Sequence, residues 1–412
     1  MIAKRITYLK NKKNLTQSQL ASKLGYNQSY ISKIEKGSTK ITSNLAENFS
    51  VLFDVPPVYF KESSDVVNDY DFEQFFNNLL LNKYEINRPC FENEKFDISI
   101  SKEVEYKLLQ ASFYYKTNLI SKGDCVTKNF LSLFTIEDFE QNSTITKYYY
   151  LYMYELNLAN YNLDMCCHYC DLLLDLLTDD FQRARVMLNK SNALMRNGRL
   201  YDSFKYLEET LYFIRTSNSD IWLARAYLSQ SSLFLKLNLD EEALRLLNQV
   251  ENMIDPKEHP EFMAGVFHNL GAIYGRRGNY VDSLTKYESA ISLKKENQGT
   301  LLTLISLILR LIESNDFKIA RKKLEVAKKI KSRKQEEMIL KSLEAQLDLY
   351  EEKIDLHKYK LKIVLDYFEN LDSKKDLHYI YSYLADYHFS KNNFKKSATY
   401  YNKKENLNYE KN

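Results

Sequence analysis

Phe267-His-Asn-Leu-Gly-Ala-Ile-Tyr-Gly-Arg-Arg-Gly-Asn-Tyr-Val-Asp-Ser-Leu284 is the stretch that decides the fold of this 412-residue chain. Apolar residues recur at helical spacing as far as Tyr274, Gly278 breaks the run, and a second helical pattern opens at Tyr280. Gly271, Ser283 and Ala290 are small where two antiparallel helices must touch, and Tyr287 continues the apolar face of the second. The spacing predicts a closely packed helical hairpin. A single hairpin cannot bury its own apolar face, so further copies must stack beside it.

Those copies are legible in both directions. Asn192–Thr210 has Gly198 at the turn and Ser203 at the small position; Tyr227–Val250 has Asn238 and Ala243; Leu304–Ala327 has Asn315 and Ala320; Tyr381–Lys404 has Ala385, Asn392 and Ser397. Worn copies fall near 343–366 and 148–172. Small positions 203, 243, 283 and 320 are 37 to 40 residues apart, and 397 lies two such steps further on. The pattern resembles the tetratricopeptide repeat, lengthened beyond its usual ~34 residues. It implies an all-α fold in which seven or more hairpins stack as a right-handed tetratricopeptide-like α-solenoid.

The repeat frame assigns the positions that line an inner groove. They are Arg185, Asn189, Asn192 and Arg196 in one repeat, Arg225, Ser232 and Lys236 in the next, then His268, Asn269 and Arg276, with Asp386 near the far end. An Asn amide can clamp a peptide backbone with both its groups, and Arg can hold a carboxylate through two hydrogen bonds. These residues are the candidate peptide-binding set.

The other informative stretch, Thr16-Gln-Ser-Gln-Leu-Ala-Ser-Lys-Leu-Gly-Tyr-Asn-Gln-Ser-Tyr-Ile-Ser-Lys-Ile-Glu-Lys-Gly37, predicts two short helices joined by a tight turn. Thr16 with Gln19 makes a capping box, and Leu15 with Leu20 a hydrophobic staple. Gly25 ends the first helix, Asn27 caps the second and Gly37 stops it. A preceding helix over Ile2–Lys13 carries Ile2, Ile6 and Leu9. A following one over Ser43–Phe53 carries Leu45, Phe49 and Leu52, and Pro56 and Pro57 close the module. With Leu20, Ala21, Leu24, Ile31 and Ile34 inward, Gln28, Ser29, Ser32 and Lys33 point outward, where Gln, Ser and Lys can meet base edges. Gln17 can offer its amide and the helix N-terminus to a phosphate, and Lys36 and Lys40 flank the groove.

Residues 1–60 resemble the Cro/repressor, XRE-type helix-turn-helix family through Leu-Thr-Gln-x-x-Leu-Ala at 15–21 and Ile-Ser-Lys-Ile-Glu-Lys-Gly at 31–37. The resemblance implies a five-helix domain in which Gln17 contacts phosphate and Gln28, Ser29 and Lys33 face bases. It makes Glu35 the partner of a basic residue on the first helix, where Lys10 stands in place of the family's usual Arg, so a two-pronged ion pair is lost. Such domains bind double-stranded DNA as two-fold dimers on palindromic half-sites.

Charge agrees with that division. Residues 1–60 hold nine Lys or Arg against three acids, a net +6, which leaves −3 for the remainder of a chain whose total is +3. Residues 61–100 form an acidic connector, with one helix near Asp69–Lys83 that packs through Phe72, Phe75, Phe76, Leu79 and Leu80. The connector either packs on the body as a linker, or competes with DNA for the basic domain or sets its angle. The repeat body occupies 101–412 and serves peptide binding and dimerisation.

Nine Gly and five Pro in 412 residues suit helices almost throughout. No run reaches the ~18 apolar residues of a membrane span, no export signal opens the chain, and five Cys are an odd number, so reduced thiols and a cytoplasmic location are expected. Cys166-Cys-His-Tyr-Cys170 matches no common zinc spacing. Phosphate-binding Gly loops and nucleophile–base pairs are missing too, so neither a cofactor nor an enzyme is expected. Lys318–Lys341, with ten Lys or Arg against three Glu, reads as a solvated convex face or a second contact for DNA or an acidic protein.

An XRE-type domain followed by tetratricopeptide-like repeats resembles the RRNPP-type peptide-sensing transcriptional regulators, whose relatives include PlcR- and NprR-like regulators and phage arbitrium receptors. The resemblance implies a homodimer whose operator binding is controlled by a short signalling peptide in the repeat groove. Its alternative is a repeat domain that binds or dephosphorylates a response regulator, for which Glu105 or Gln110 could be nominated.

Overall fold

The computed structural model describes residues 2–60, 71–80, 99–138, 142–216, 219–293, 298–330, 332, 334–371 and 373–407, and no strand occurs among them. The fold is all-α, with the helix-turn-helix at the N-terminus and helical hairpins after it. Two compact units divide the chain, Met1–Asn218 and Ser219–Asn412.

The first unit opens with α1 (Ile2–Lys12), α2 (Gln17–Leu24), α3 (Gln28–Glu35), α4 (Ser43–Phe53) and a 3-10 turn at Pro57–Phe60, which is the fifth element of the domain. Thr16 accepts from the Gln19 amide while Gln19 accepts from the Thr16 amide, so two of the orphan donors at the start of α2 are satisfied reciprocally. Gly25 (φ 73°) and Gly37 (φ 73°) take the left-handed conformation that ends α2 and follows α3. Ile6, Leu20, Ile31, Leu45 and Phe49 are wholly buried. Leu52 is only half-buried; Phe53, one residue later, takes its place in the core.

The same unit contains α5 (Phe72–Leu79) and three hairpins: α6 (Ile100–Lys116) with α7 (Ile120–Asn129), α8 (Ser143–Ala159) with α9 (Leu163–Leu176), and α10 (Asp180–Arg196) with α11 (Leu200–Arg215). The second unit stacks five more: α12 (Asp220–Lys236) with α13 (Asp240–Met253), α14 (Pro260–Arg276) with α15 (Tyr280–Ser292), α16 (Gln298–Glu313) with α17 (Phe317–Lys328), α18 (Lys334–Tyr350) with α19 (Ile354–Asn370), and α20 (Lys374–Ser390) with α21 (Phe394–Glu405).

All eight hairpins obey one local rule. Each turns at a residue with positive φ: Asn118, Tyr161 and Gly198 in the first unit, and Asn238, Gly278, Asn315, Glu352 and Asn392 in the second. Seven residues before and five after that turn, the two arms meet at a tight pair of positions. At Gly271 an added Cβ would lie 3.0 Å from the Tyr287 ring, and Ser283 donates to the Gly271 carbonyl at 2.6 Å. Ser397 donates to Ala385 O at 2.9 Å, His357 Nδ1 to Ala345 O at 2.9 Å, and Cys166 Sγ to Tyr154 O at 3.7 Å. In the hairpin of Ser203 the direction reverses, and Ser191 Oγ donates to Ser203 O at 2.9 Å. A small or hydrogen-bonding side chain at this point lets the arms approach and satisfies an otherwise crowded carbonyl.

The first hairpin carries the same register through Ala111 and Gly123, although no repeat is legible there from spacing alone. Gly123 is required because a Cβ would come within 2.8 Å of the Tyr115 ring.

Candidate functional site

The helix-turn-helix presents α3 as the sequence predicts. Ile31 and Ile34 anchor it in the core, Asn27 accepts from the Tyr30 amide at its start, and Gln28, Ser29 and Lys33 are exposed. Ser32 is half-buried, while Lys36 and Lys40 are exposed beyond the helix end. Three adjacent small polar or basic side chains on a helix held from behind are suited to base-edge contact, and the two lysines to phosphate.

Glu35 binds the helices of this domain together. Its Oε1 lies 2.8 Å from Lys10 Nζ on α1, and its Oε2 accepts from Gln17 Nε2 on α2 at 2.5 Å. Lys10 thus meets one carboxylate oxygen and Gln17 the other. Gln17 is therefore half-buried with one amide hydrogen engaged, so a phosphate contact from it would use the second hydrogen or the N-terminus of α2.

The domain is not an independent bead. Arg5 is fully buried: its Nε donates to Glu103 Oε2 on α6 at 2.6 Å, its guanidinium donates to Tyr59 O at 2.7 Å, and it stacks 4.0 Å over the Tyr59 ring. Tyr59 OH donates to the other Glu103 oxygen at 2.6 Å. Burial pushes the Glu103 carboxyl up, and the Arg5 guanidinium and the Tyr59 hydroxyl oppose that shift. Burial, reinforced by Glu103, pushes the Tyr59 phenol up as well. Tyr8 meets Phe130 edge-on at 5.3 Å, and Lys4 pairs with Asp138.

In the first unit, Asn189 and Asn192 are half-buried on α10 and Arg196 is exposed near its end. Arg185 stacks 4.2 Å over the Phe181 ring and donates to the Asn77 carbonyl of α5 at 3.3 Å. The carbonyl that Arg185 meets belongs to the connector of the same chain. Glu73 of α5 accepts from Lys147 at 2.7 Å, Tyr148 OH at 3.3 Å and Gln182 Nε2 at 3.0 Å, and Gln182 also donates to Asn77 Oδ1 at 2.9 Å. Burial raises the Glu73 carboxyl, but the Lys147 and Gln182 hydrogen bonds outweigh it and hold the group below its ordinary range. The connector helix thus packs on the body, across α6, α8 and α10. The expected ends of that helix, residues 69–70 and 81–83, lie outside the described residues.

In the second unit, Arg225 is buried with its guanidinium 4.7 Å over Trp222, and burial pushes its pKa down to about 10. Asn269 Nδ2 donates to Ser232 Oγ at 2.9 Å, so these two predicted residues meet on neighbouring first arms. His268 Nδ1 lies 3.1 Å from Thr303 Oγ1, and its ring packs edge-on against Tyr287. Arg276 donates to Leu235 O at 2.9 Å and pairs with Asp240 at 3.1 Å, a brace on the turn of the preceding hairpin. Asp386 accepts from Tyr401 at 2.6 Å, while Lys236 is exposed at the end of α12.

Other sequence-level candidates find structural work. Glu105 and Gln110 are buried in α6. Cys166, Cys167 and Cys170 are buried; burial pushes the Cys166 thiol up to about 12, and His168 points to solvent away from them. The basic run around α17 is engaged by acids: Arg321 with Asp348 and Glu351 at 2.8 Å, Lys323 with Glu288 at 3.0 Å, and Lys328 with Glu344 at 3.1 Å. Lys331 and Arg333 lie outside the described residues.

Residues 6–60 match the helix-turn-helix family. No curated protein sequence matches the chain. Among solved structures the chain is similar to a Rap protein complexed with Competence and Sporulation Factor, at 14% identity over 82% of this chain and 96% of that one, with a TM-score of 0.64. It is also similar to the apo form of the quorum sensor NprR from B. thuringiensis, at 17% identity over 82% and 97%, with a TM-score of 0.60. NprR in complex with its cognate peptide NprX gives the same identity and coverage at a TM-score of 0.56.

The chain joins a helix-turn-helix domain to the Rap and NprR fold. The helix-turn-helix match at the N-terminus and the fold of the repeat body are the two parts of the architecture that the RRNPP resemblance implies. No helix among the described residues is long and apolar enough to cross a membrane.

Proposed function

We propose that the chain is a DNA-binding transcriptional regulator whose operator binding responds to a short peptide held on the first arms of its hairpins. The observation that carries the DNA half is the exposure of Gln28, Ser29 and Lys33 on a helix fixed from behind by Ile31, Ile34 and the Asn27 cap. The peptide half is supported by the fold it shares with NprR, which has been solved with its cognate peptide, and by the Asn and Arg side chains carried on the first arms. Two copies reading palindromic half-sites would follow from the helix-turn-helix. Glu105 and Gln110, being buried, lend no support to a phosphatase role.

The test is selection of duplexes from a random-sequence pool by the purified chain. Enrichment of a two-fold symmetric site supports the reading, and Gln28→Ala should weaken binding to that site about tenfold without loss of helix content. Absence of any enriched sequence, or loss of phosphate from response regulators incubated with the chain, would favour the partner-binding alternative.

A further inference from the structure

Between the DNA-reading domain and the repeats in sequence, α5 lies across the first arms of three successive hairpins. Its apolar side chains Phe72 and Phe76 are buried, with Phe76 against Tyr148 at 5.3 Å, and its polar atoms are held by Lys147, Gln182 and Arg185. Those are side-chain clamps on a short peptide, and one of them, Arg185, sits at a groove position of the repeat frame. A helix of eight residues is not stable alone in water, so α5 is helical because it is seated.

On α6, Lys102 lies 5.3 Å over the Phe72 ring, and the next residue, Glu103, binds Arg5 of the DNA-reading domain at 2.6 Å. The seat of α5 and the anchor of that domain are therefore adjacent positions of one helix.

We propose that α5 is a resident ligand of this face, exchangeable with a free amphipathic helical peptide bearing Phe at its second and sixth positions and Glu at its third, and that its seating fixes the DNA-reading domain through α6. The regulatory part rests on the DNA-binding reading above; the exchange itself does not.

A fluorescein-labelled peptide with the sequence of Asp71–Leu80 is titrated against the full chain in the absence of DNA. The wild-type chain, whose seat is filled, should bind weakly. The Phe76→Ala chain, and the Glu73→Lys chain whose apolar residues are intact, should bind at least about tenfold more tightly, because apparent affinity scales with the fraction of open seats. Adding Gln182→Ala and Arg185→Ala to the Glu73→Lys chain should remove the gain. Equal affinity for all chains, or no binding by the Glu73→Lys chain at unchanged helix content, overturns the exchange. In the opened chains amide exchange in α1 should also speed up; unchanged exchange there overturns the coupling through α6. Because no DNA is present, a chain that never binds an operator would count against the proposed function and leave this result standing.

Discussion

At the scale of single residues, each hairpin turns on one residue of left-handed backbone. Gly198, Gly278, Asn238, Asn315 and Asn392 enter that region at little cost. Tyr161 (φ 61°) and Glu352 (φ 62°) stand at the equivalent places without that ease, and the absence of Gly or Asn there is why their repeats read as worn. Their backbone is imposed by the stacking of the arms on either side. Replacing Tyr161, which is largely exposed, by Gly should therefore stabilise the chain by about 1 kcal/mol, read as a higher urea midpoint; a lower midpoint would contradict the strain assigned to this turn.

His357 makes a second prediction at the same scale. Where three other hairpins have Ser, it fills the tight contact with Ala345, and burial pushes its imidazole below the ordinary 6.5. The folded chain prefers the neutral ring, so this contribution is complete above pH 6.5 and is lost as pH falls from there towards the lower folded value. His357→Ser should flatten the fall in thermal stability below pH 6.5. An identical slope in both chains would show that His357 does not titrate against folding.

At the scale of elements, the caps and core of α2, α3 and α4 could be read because each depends on residues a few positions apart. Contacts between distant elements have no such local mark. Nothing in the spelling of α1 predicted that Arg5 would be buried against Glu103, and the acidic excess of the connector concealed that α5 has a seat of its own. The repeat frame places Arg185 on the first arms; that the connector of the same chain meets it there has no mark in the repeat spacing. Arg276, a groove position of the same frame, bonds to Leu235 and Asp240 and so joins two hairpins.

Glu103→Gln keeps the shape of the anchor while leaving the Arg5 charge buried without its partner, a change worth about 3 kcal/mol. Hydrogen exchange of α1 should rise accordingly while that of the α14–α15 hairpin stays as it was. Unaltered protection in α1 would mean that the domain is held by its apolar contacts alone.

At the scale of the whole molecule, three parts carry the proposed regulation: a basic helix-turn-helix domain, hairpins whose first arms carry Asn and Arg, and α6, which touches both the domain and the connector. Only the first was specific in the sequence; the second was architectural, and the third emerged from tertiary contacts. If peptide acts on the hairpins of the second unit, Asn269→Ala should lower peptide affinity while leaving DNA binding by the unliganded chain alone. Calorimetry with wild-type affinity in that variant would remove the Asn269–Ser232 pair from the site. The most direct measurement is polarisation of a labelled duplex, selected by the chain itself, during titration with fractionated short peptides from the medium of the cells that encode it. If peptide governs operator binding, one fraction shifts DNA affinity by at least about fivefold, the lower end of typical coupling between two sites. DNA affinity that stays constant across every fraction would contradict it.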